Sequence, residues 1–244
     1  MSMDTDPRPK SRNVSLIAAL AVLVVAVLAL AVVGVASLLP SHKSPPTAQH
    51  TTPPTSPTAA ASAAGCPTDT ATVLTAAPVV QWQTLGQMTL PTGGAVYGPC
   101  QLTATTATGY AHTPGGALIA AVQIFARSTT SAPVDVAVAT VQGQFIHTTD
   151  RDILLNSAKT SPRQSLSPDR VGRVAAYQVS AYTPDTASLS VAYRADALPG
   201  QYVAMRLVVQ WLDGDWRMVP PLAGTWSGAG EALTELPGFT AWGP

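Results

Sequence analysis

The residues able to do chemistry in this 244-residue chain are few and scattered. It holds four histidines, His42, His50, His112 and His147, and two cysteines, Cys66 and Cys100. None of them recurs at the close spacing that builds a metal site, so no metal or cofactor is expected. His147 with Asp150 and Asp152 supplies the imidazole and carboxylates that proton transfer needs. Such groups work near neutral pH only when an apolar cavity tunes them. The plainer role of Asp150 and Asp152 is to open a helix, whose dipole favours acid in the first turn. No Gly-x-Ser-x-Gly elbow, phosphate loop or catalytic Cys/His pair occurs. The chain is therefore not expected to be an enzyme.

The two cysteines read as one Cys66–Cys100 disulfide if they face an oxidising compartment, and as two free thiols otherwise. The compartment follows from the N-terminus. Val14 to Leu39 is a run of 26 residues without a charge, almost all Ala, Val, Leu or Ile. As a helix it would be about 39 Å long, more than the roughly 30 Å hydrocarbon core of a bilayer. A signal peptide has an apolar run of only about 7–15 residues. Gly34-Val35-Ala36-Ser37 does imitate a cleavage site, but length favours an uncleaved anchor. Ala64-Gly65-Cys66 imitates a lipoprotein site, yet it stands far behind the apolar run. Arg8, Lys10 and Arg12 precede the run, and Lys43 alone follows closely, which keeps the N-terminus cytoplasmic. The expected layout is a cytoplasmic tail (1–13), a transmembrane helix (14–39), a Pro/Thr/Ala-rich linker (40–65) and an extracytoplasmic domain (66–244).

Composition narrows the partners. The formal net charge is zero and only 11% of residues are charged. Three of the thirteen Lys and Arg residues and two of the thirteen Asp and Glu residues precede the apolar run, leaving ten and eleven behind it. That balance supplies no basic face for nucleic acid. Scarce lysine and abundant alanine fit a high-GC genome such as an actinobacterium. Residues 40–65 bury too little apolar surface to fold and serve as an extended spacer.

The 179 residues from Cys66 onward suffice for one domain. Val79 to Leu90 has β character, with Trp82 and Leu85 as anchors, and Pro91 to Pro99 reads as a loop. Thr113 before Pro114 is an N-cap signal, and Ala117, Ala120, Ala121, Ile124 and Phe125 form a helical stripe. Ser131 and Pro133 open a second helix over 134–146. Thr149 with Asp150 and Asp152 opens a third, to about Lys159. Strands follow over 171–182, 187–196 and 201–212. In the last, Val203, Met205, Leu207, Val209 and Trp211 alternate with Arg206 and Gln210. Asp213-Gly214-Asp215 is a turn into a short strand over 216–219. His112 is expected to satisfy turn backbone groups. Trp226, Phe239 and Trp242 in the tail either pack over the sheet or meet a partner. The expected class is α+β, three helices covering one face of an antiparallel meander.

The order of these elements, with the ending VVQWLDGDWRMVPP, resembles the NTF2-like fold, a cone of helices on a curled antiparallel sheet. The tether adds a resemblance to VirB8-type proteins of type IV secretion and their Gram-positive TcpC-like conjugation counterparts. The stretch GPCQLTATTATGYAHTPGGALIAAVQI further resembles poorly characterised actinobacterial membrane proteins of integrative and conjugative elements. The resemblance implies a bitopic scaffold subunit of a conjugative DNA-transfer machine, partnered by other membrane subunits and by copies of itself, without direct contact to nucleic acid. It also implies a cone pocket, approached by His147, Asp150, Asp152, Tyr177 and Tyr193. An exported small-ligand binder or enzyme using that pocket is the alternative.

Overall fold

A computed structural model describes residues 66–244. The expected tail, transmembrane helix and linker lie outside the described residues. Among the described residues no helix is long and apolar enough to cross a membrane.

The domain opens with a hairpin, β1 (Gln81–Leu85) and β2 (Met88–Thr92). A helical turn, α1 (Gly94–Tyr97), replaces part of the expected loop, and a small ladder follows, β3 (Gln101–Leu102) with β4 (Ala107–Thr108). Met88 and Leu90 carry the buried face of the hairpin, whereas Trp82 and Leu85 are only half-buried. The Cys66–Cys100 disulfide joins the entry segment to β3, with Cα atoms 6.1 Å apart. Closing a loop of this size limits the unfolded chain by about 3–4 kcal/mol in the entropy picture.

Three helices come next: α2 (Pro114–Ser128), α3 (Val134–Gln144) and α4 (Thr149–Thr160). Thr113 caps α2 by accepting from the Gly116 N–H, and Pro114 takes the first turn, as its sequence dictates. The stripe expected on α2 is too narrow. Every residue of α2 except Phe125 is buried. The helix lies between β2 on one side and the main sheet on the other, which is where a helix apolar all round must sit. Ser131 does not cap α3, which starts directly behind Pro133 without a side-chain cap. The cap of α4 is Thr148, one residue before the expected Thr149, and its side chain accepts from the Arg151 N–H. Asp150 and Asp152 fall in the first turn of α4 as expected. The α4 helix packs mainly on α3 and on a 3₁₀ turn at Leu222–Gly224. Only α2 therefore lies along the sheet at length, a departure from three helices laid side by side.

Arg163 draws the ends of α2 and α4 together. Its guanidinium donates to the carbonyls of Thr129 and Ala132 on one side and of Ala158 and Ser161 on the other. Ala158 lies in the last turn of α4, and Thr129 and Ser161 cap the C-terminal ends of α2 and α4, where carbonyls lack intrahelical partners, while Ala132 lies in the connection ahead of α3.

The main sheet is antiparallel, built from β5 (Arg173–Thr183), β6 (Thr186–Arg194), β7 (Tyr202–Leu212), β8 (Asp215–Met218), β9 (Gly230–Leu233) and β10 (Thr240–Ala241). Alternation places Leu189, Val191, Met205, Leu207, Val209, Trp216 and Met218 in the core. Register shifts at Val174/Ala176 and Val179/Ala181 in β5 are bulges, which bend a strand and raise its twist. Asp213 and Gly214 both adopt positive φ, the two-residue geometry that suits a hairpin's twist. One edge of β7 is shared end to end. Its C-terminal half pairs β8, its N-terminal half pairs β9, and the excursion between them returns through the Arg206 N–H to the Ala229 carbonyl. Trp226, on that excursion, turns into the core against Phe125 and Phe145.

Candidate functional site

The approach to α2, Gly109 to Gly116, is tied to several distant elements. Asp215, at the start of β8, accepts from the N–H groups of Gly109 at 2.9 Å, Tyr110 at 3.1 Å and Trp216 at 2.9 Å. Trp216 donates its indole N–H to the Ala111 carbonyl at 2.8 Å. The Ala111 N–H in turn reaches the Tyr97 carbonyl. The His112 ring stacks on Trp211 with centroids 3.9 Å apart, and its Nε2 donates to the Pro184 carbonyl at 2.5 Å. The expected turn role of His112 is thus met by the β5–β6 turn. Thr113 donates to Asp69, just behind the disulfide-bonded Cys66. The Gly-Tyr-Ala-His-Thr-Pro-Gly-Gly string is a clasp that joins the entry segment, the buried helix and β8.

A second polar group lies inside the same core. Arg127, 4% exposed, donates from Nε to Gln123 Oε1, and Gln123 donates to the Pro91 carbonyl of β2. Burial pulls the Arg127 guanidinium below its ordinary value, with Tyr110 opposing. Burial drives the Tyr110 phenol far above its ordinary range; Asp215 adds to this, and Arg127 and Gln144 pull the other way. Gln144 donates to the Ala107 carbonyl. Asp215 is raised by burial against the lowering pull of its three N–H partners and of Arg217. A raised buried carboxylate is often a sign of acid–base chemistry. Here its oxygens are spent on backbone N–H groups, which makes it a positioning residue for Gly109 and Tyr110.

The residues expected at a pocket are dispersed. His147 is exposed between α3 and α4. Asp150 accepts from the Ala223 N–H, tying α4 to the β8–β9 excursion, and Asp152 pairs with its neighbour Arg151 at 2.8 Å. Tyr177 is buried on β5 beneath Trp242, ring centroids 5.7 Å apart. Tyr193 alone lines a substantial cavity, of about 180 Å³, between β2, the C-terminal end of α2 and the ends of β5, β6 and β7. Leu90, Phe125, Val174 and Met205 form its apolar walls. His147, Asp150, Asp152 and Tyr177 are not among its lining residues.

Among the described residues no group of three His, Cys, Asp or Glu side chains is placed to hold a metal ion. Sequence reading missed Asp215, which looked like a turn residue, and the Gln123–Arg127 pair. The available signal for the pair was two polar residues four apart in an otherwise apolar helix, the spacing that puts side chains in contact.

The model of a protein family described as Domain of unknown function (DUF8175) matches residues 44–241, and the chain belongs to that family. No curated protein matches the chain. No solved structure matches it.

Proposed function

We propose that this member of the family is a single-pass membrane subunit of a conjugative DNA-transfer or type IV secretion-like machine in an actinobacterium, and that it acts by position and contact. The segment 14–39 anchors it, 40–65 sets its height, and the domain from Cys66 onward stands outside the membrane. There it contacts copies of itself and other membrane subunits without touching DNA, and it needs no cofactor or catalysis.

The observation that carries this reading is the Cys66–Cys100 disulfide, at the point where the tether would enter the domain. Such bridges persist in oxidising compartments, and this one braces the domain where pull along a tether would be applied. The NTF2-like cone is supported by α2 across the inner face of the sheet, by the bulged β5, and by a parallel bridge from Phe145 to Met218 between the last two helices and β8. The scaffold role is supported by the commitments of Asp215, His112 and Asp150 to backbone groups.

A conjugation assay tests the proposal. Releasing the domain from its helix should abolish transfer, because a subunit of a membrane assembly works at fixed height and high local concentration. The double variant His147→Ala with Asp150→Asn should transfer normally while the domain stays folded. Normal transfer with a freely secreted domain defeats the scaffold reading; lost transfer in the folded double variant favours the ligand or enzyme alternative. Labelling in intact cells should reach a cysteine placed at Thr55 and miss one placed at Ser2.

A further inference from the structure

We propose that the groove beneath the β8–β9 excursion is a docking site for an extended peptide segment of a partner protein, one that sets an aliphatic side chain beside an acidic one. The site needs no role in DNA transfer and stands if that role fails.

The excursion holds a leucine out in water. Leu222 is 84% exposed, and Ile153 of α4, 47% exposed, lies against the same turn. A lone exposed aliphatic side chain needs no explanation, but this one is held in place at a cost. Ala223 takes φ 53°, a left-handed conformation that usually falls to glycine. Such strain persists only where the surroundings impose it, and it gathers at functional sites. Here the surroundings are α4. Asp150 accepts from the Ala223 N–H at 3.0 Å, and a Cβ on Gly224 would come within 2.7 Å of the Leu154 nitrogen. The turn is wedged on the helix, with Leu222 at its outer side.

Beside Leu222 runs a groove of about 390 Å³. Val208, Val219, Pro220 and Ala229 supply carbon to its lining. It follows the stretch of β7 left between β8 and β9, whose ladders stop at Val209 and Met205. The Arg206 N–H reaches the Ala229 carbonyl, and the Val208 carbonyl receives the Val219 N–H. The return bonds are not made among the described residues, and Ala229 spends its N–H on the Trp226 carbonyl. The Arg206 carbonyl and the Val208 N–H are thus left on the side of the groove. They are one acceptor and one donor of the kind an extended peptide takes up at a sheet edge.

Charge selects the partner. Arg206 lines the groove and is exposed, and no Asp or Glu lines it. Arg206 forms no ion pair among the described residues; Glu231, opposite Ala204 on β9, is not paired with it. The hydroxyl groups at the wall are occupied with each other, Thr225 donating to Ser227. An unpaired guanidinium beside a carbon-lined groove complements an acidic residue next to an aliphatic one.

A random-peptide phage library is the probe, selected on the full chain in lipid nanodiscs after clearing on empty nanodiscs and on the Leu222→Asp chain. The surviving peptides should share an aliphatic residue within two positions of an Asp or Glu. Arg206→Glu should weaken them about tenfold or more, and the same library selected on that variant should return Lys or Arg in place of the acid. Both substituted residues are exposed, so both variants should melt with the wild type. Hydrogen exchange of the unaltered chain gives a readout free of any variant. A selected peptide should protect amides over 219–229 and leave those of α2 and β1 unchanged. No survivors, survivors without the acidic-aliphatic pair, equal binding to Arg206→Glu, or protection elsewhere in the domain each overturn the proposal. So does self-association that Leu222→Asp abolishes, which would make a second copy of the chain the occupant.

Discussion

The carboxylate of Asp215 accepts the backbone N–H of Tyr110 at 3.1 Å, a bond that spans 105 residues of sequence. With the neighbouring bond from Gly109, it fixes the chain that leads into α2 to the hairpin that ends the meander. Buried backbone N–H groups demand partners, and this segment lies between elements whose own ladders do not reach it. Asp215 closes that account with one side chain.

Replacing Asp215 by Asn keeps the shape but turns an amide N–H₂ toward backbone donors. The expected cost is about 1–3 kcal/mol. The pH dependence has a definite sign. The folded pKa of Asp215 is raised above its ordinary value. Between about pH 4, where an unfolded carboxylate titrates, and that raised value, the folded protein holds the proton more tightly. Unfolding then releases a proton, and the contribution of this residue falls as pH rises. Denaturant melts of wild type and Asp215→Asn should show their stability gap widest below about pH 4 and narrowing upward. A gap that widens with pH contradicts this account.

Two glycines in helices should respond oppositely to alanine. A Cβ on Gly116 in α2 would lie 2.0 Å from the Ala111 carbonyl oxygen. That is backbone, and it is held in place by the Trp216 indole. Gly116→Ala should therefore cost at least about 1–3 kcal/mol despite its better helix propensity. A Cβ on Gly143 in α3 would meet nothing within 4 Å. Gly143→Ala should stabilise by about 0.5–1 kcal/mol. Thermal melts of the two variants should move in opposite directions.

On β7, Leu207 is 1% exposed while Gln210 remains partly open to solvent. Leu207→Ala should cost about 2–5 kcal/mol. Gln210→Ala should stay within about 0.5 kcal/mol of wild type. Equal small effects in urea melts would place the strand the other way round.

The same strand shows what was legible in the sequence. A period of two survives in residues 202–212 because one face is buried and the other is not, so register and core residues could be read directly. Thr113-Pro114 was equally plain, since a cap is a local bond between neighbours. Asp215 was illegible because its partners lie 105 and 106 residues away. Nothing in Asp-Gly-Asp distinguishes a carboxylate facing solvent from one facing backbone. The hairpin over α2 hid for a related reason. Alanine and glycine read as a weak stripe, and only burial on two sides explains why Gly115, Gly116, Ala117, Ala120 and Ala121 crowd one helix. The expected grouping around Tyr193 rested on resemblance, and long-range packing put Tyr177 under Trp242 instead.

Trp242 closes the domain on itself. It is 7% exposed, its indole N–H donates to the Pro78 carbonyl at 3.0 Å, and its ring packs on Trp82 at 5.1 Å and on Tyr177. Only two residues of β10 pair with β5, so backbone bonds alone hold the C-terminal segment weakly. The indole must supply most of the grip, and it ties that segment to the entry chain ahead of β1. Trp242→Ala should cost about 3–5 kcal/mol, the range for a buried large aromatic. Trp242→Phe keeps most of the ring contact and loses the bond to Pro78, so about 1 kcal/mol of that loss should remain. The entry chain should loosen along with the C-terminus. Hydrogen exchange over residues 79–85 should accelerate in Trp242→Ala and change little in Trp242→Phe, while β6 keeps its protection in both. Uniform acceleration across the sheet would mean that Trp242 supports the whole core, and unchanged exchange over 79–85 would mean that the entry chain is held without it.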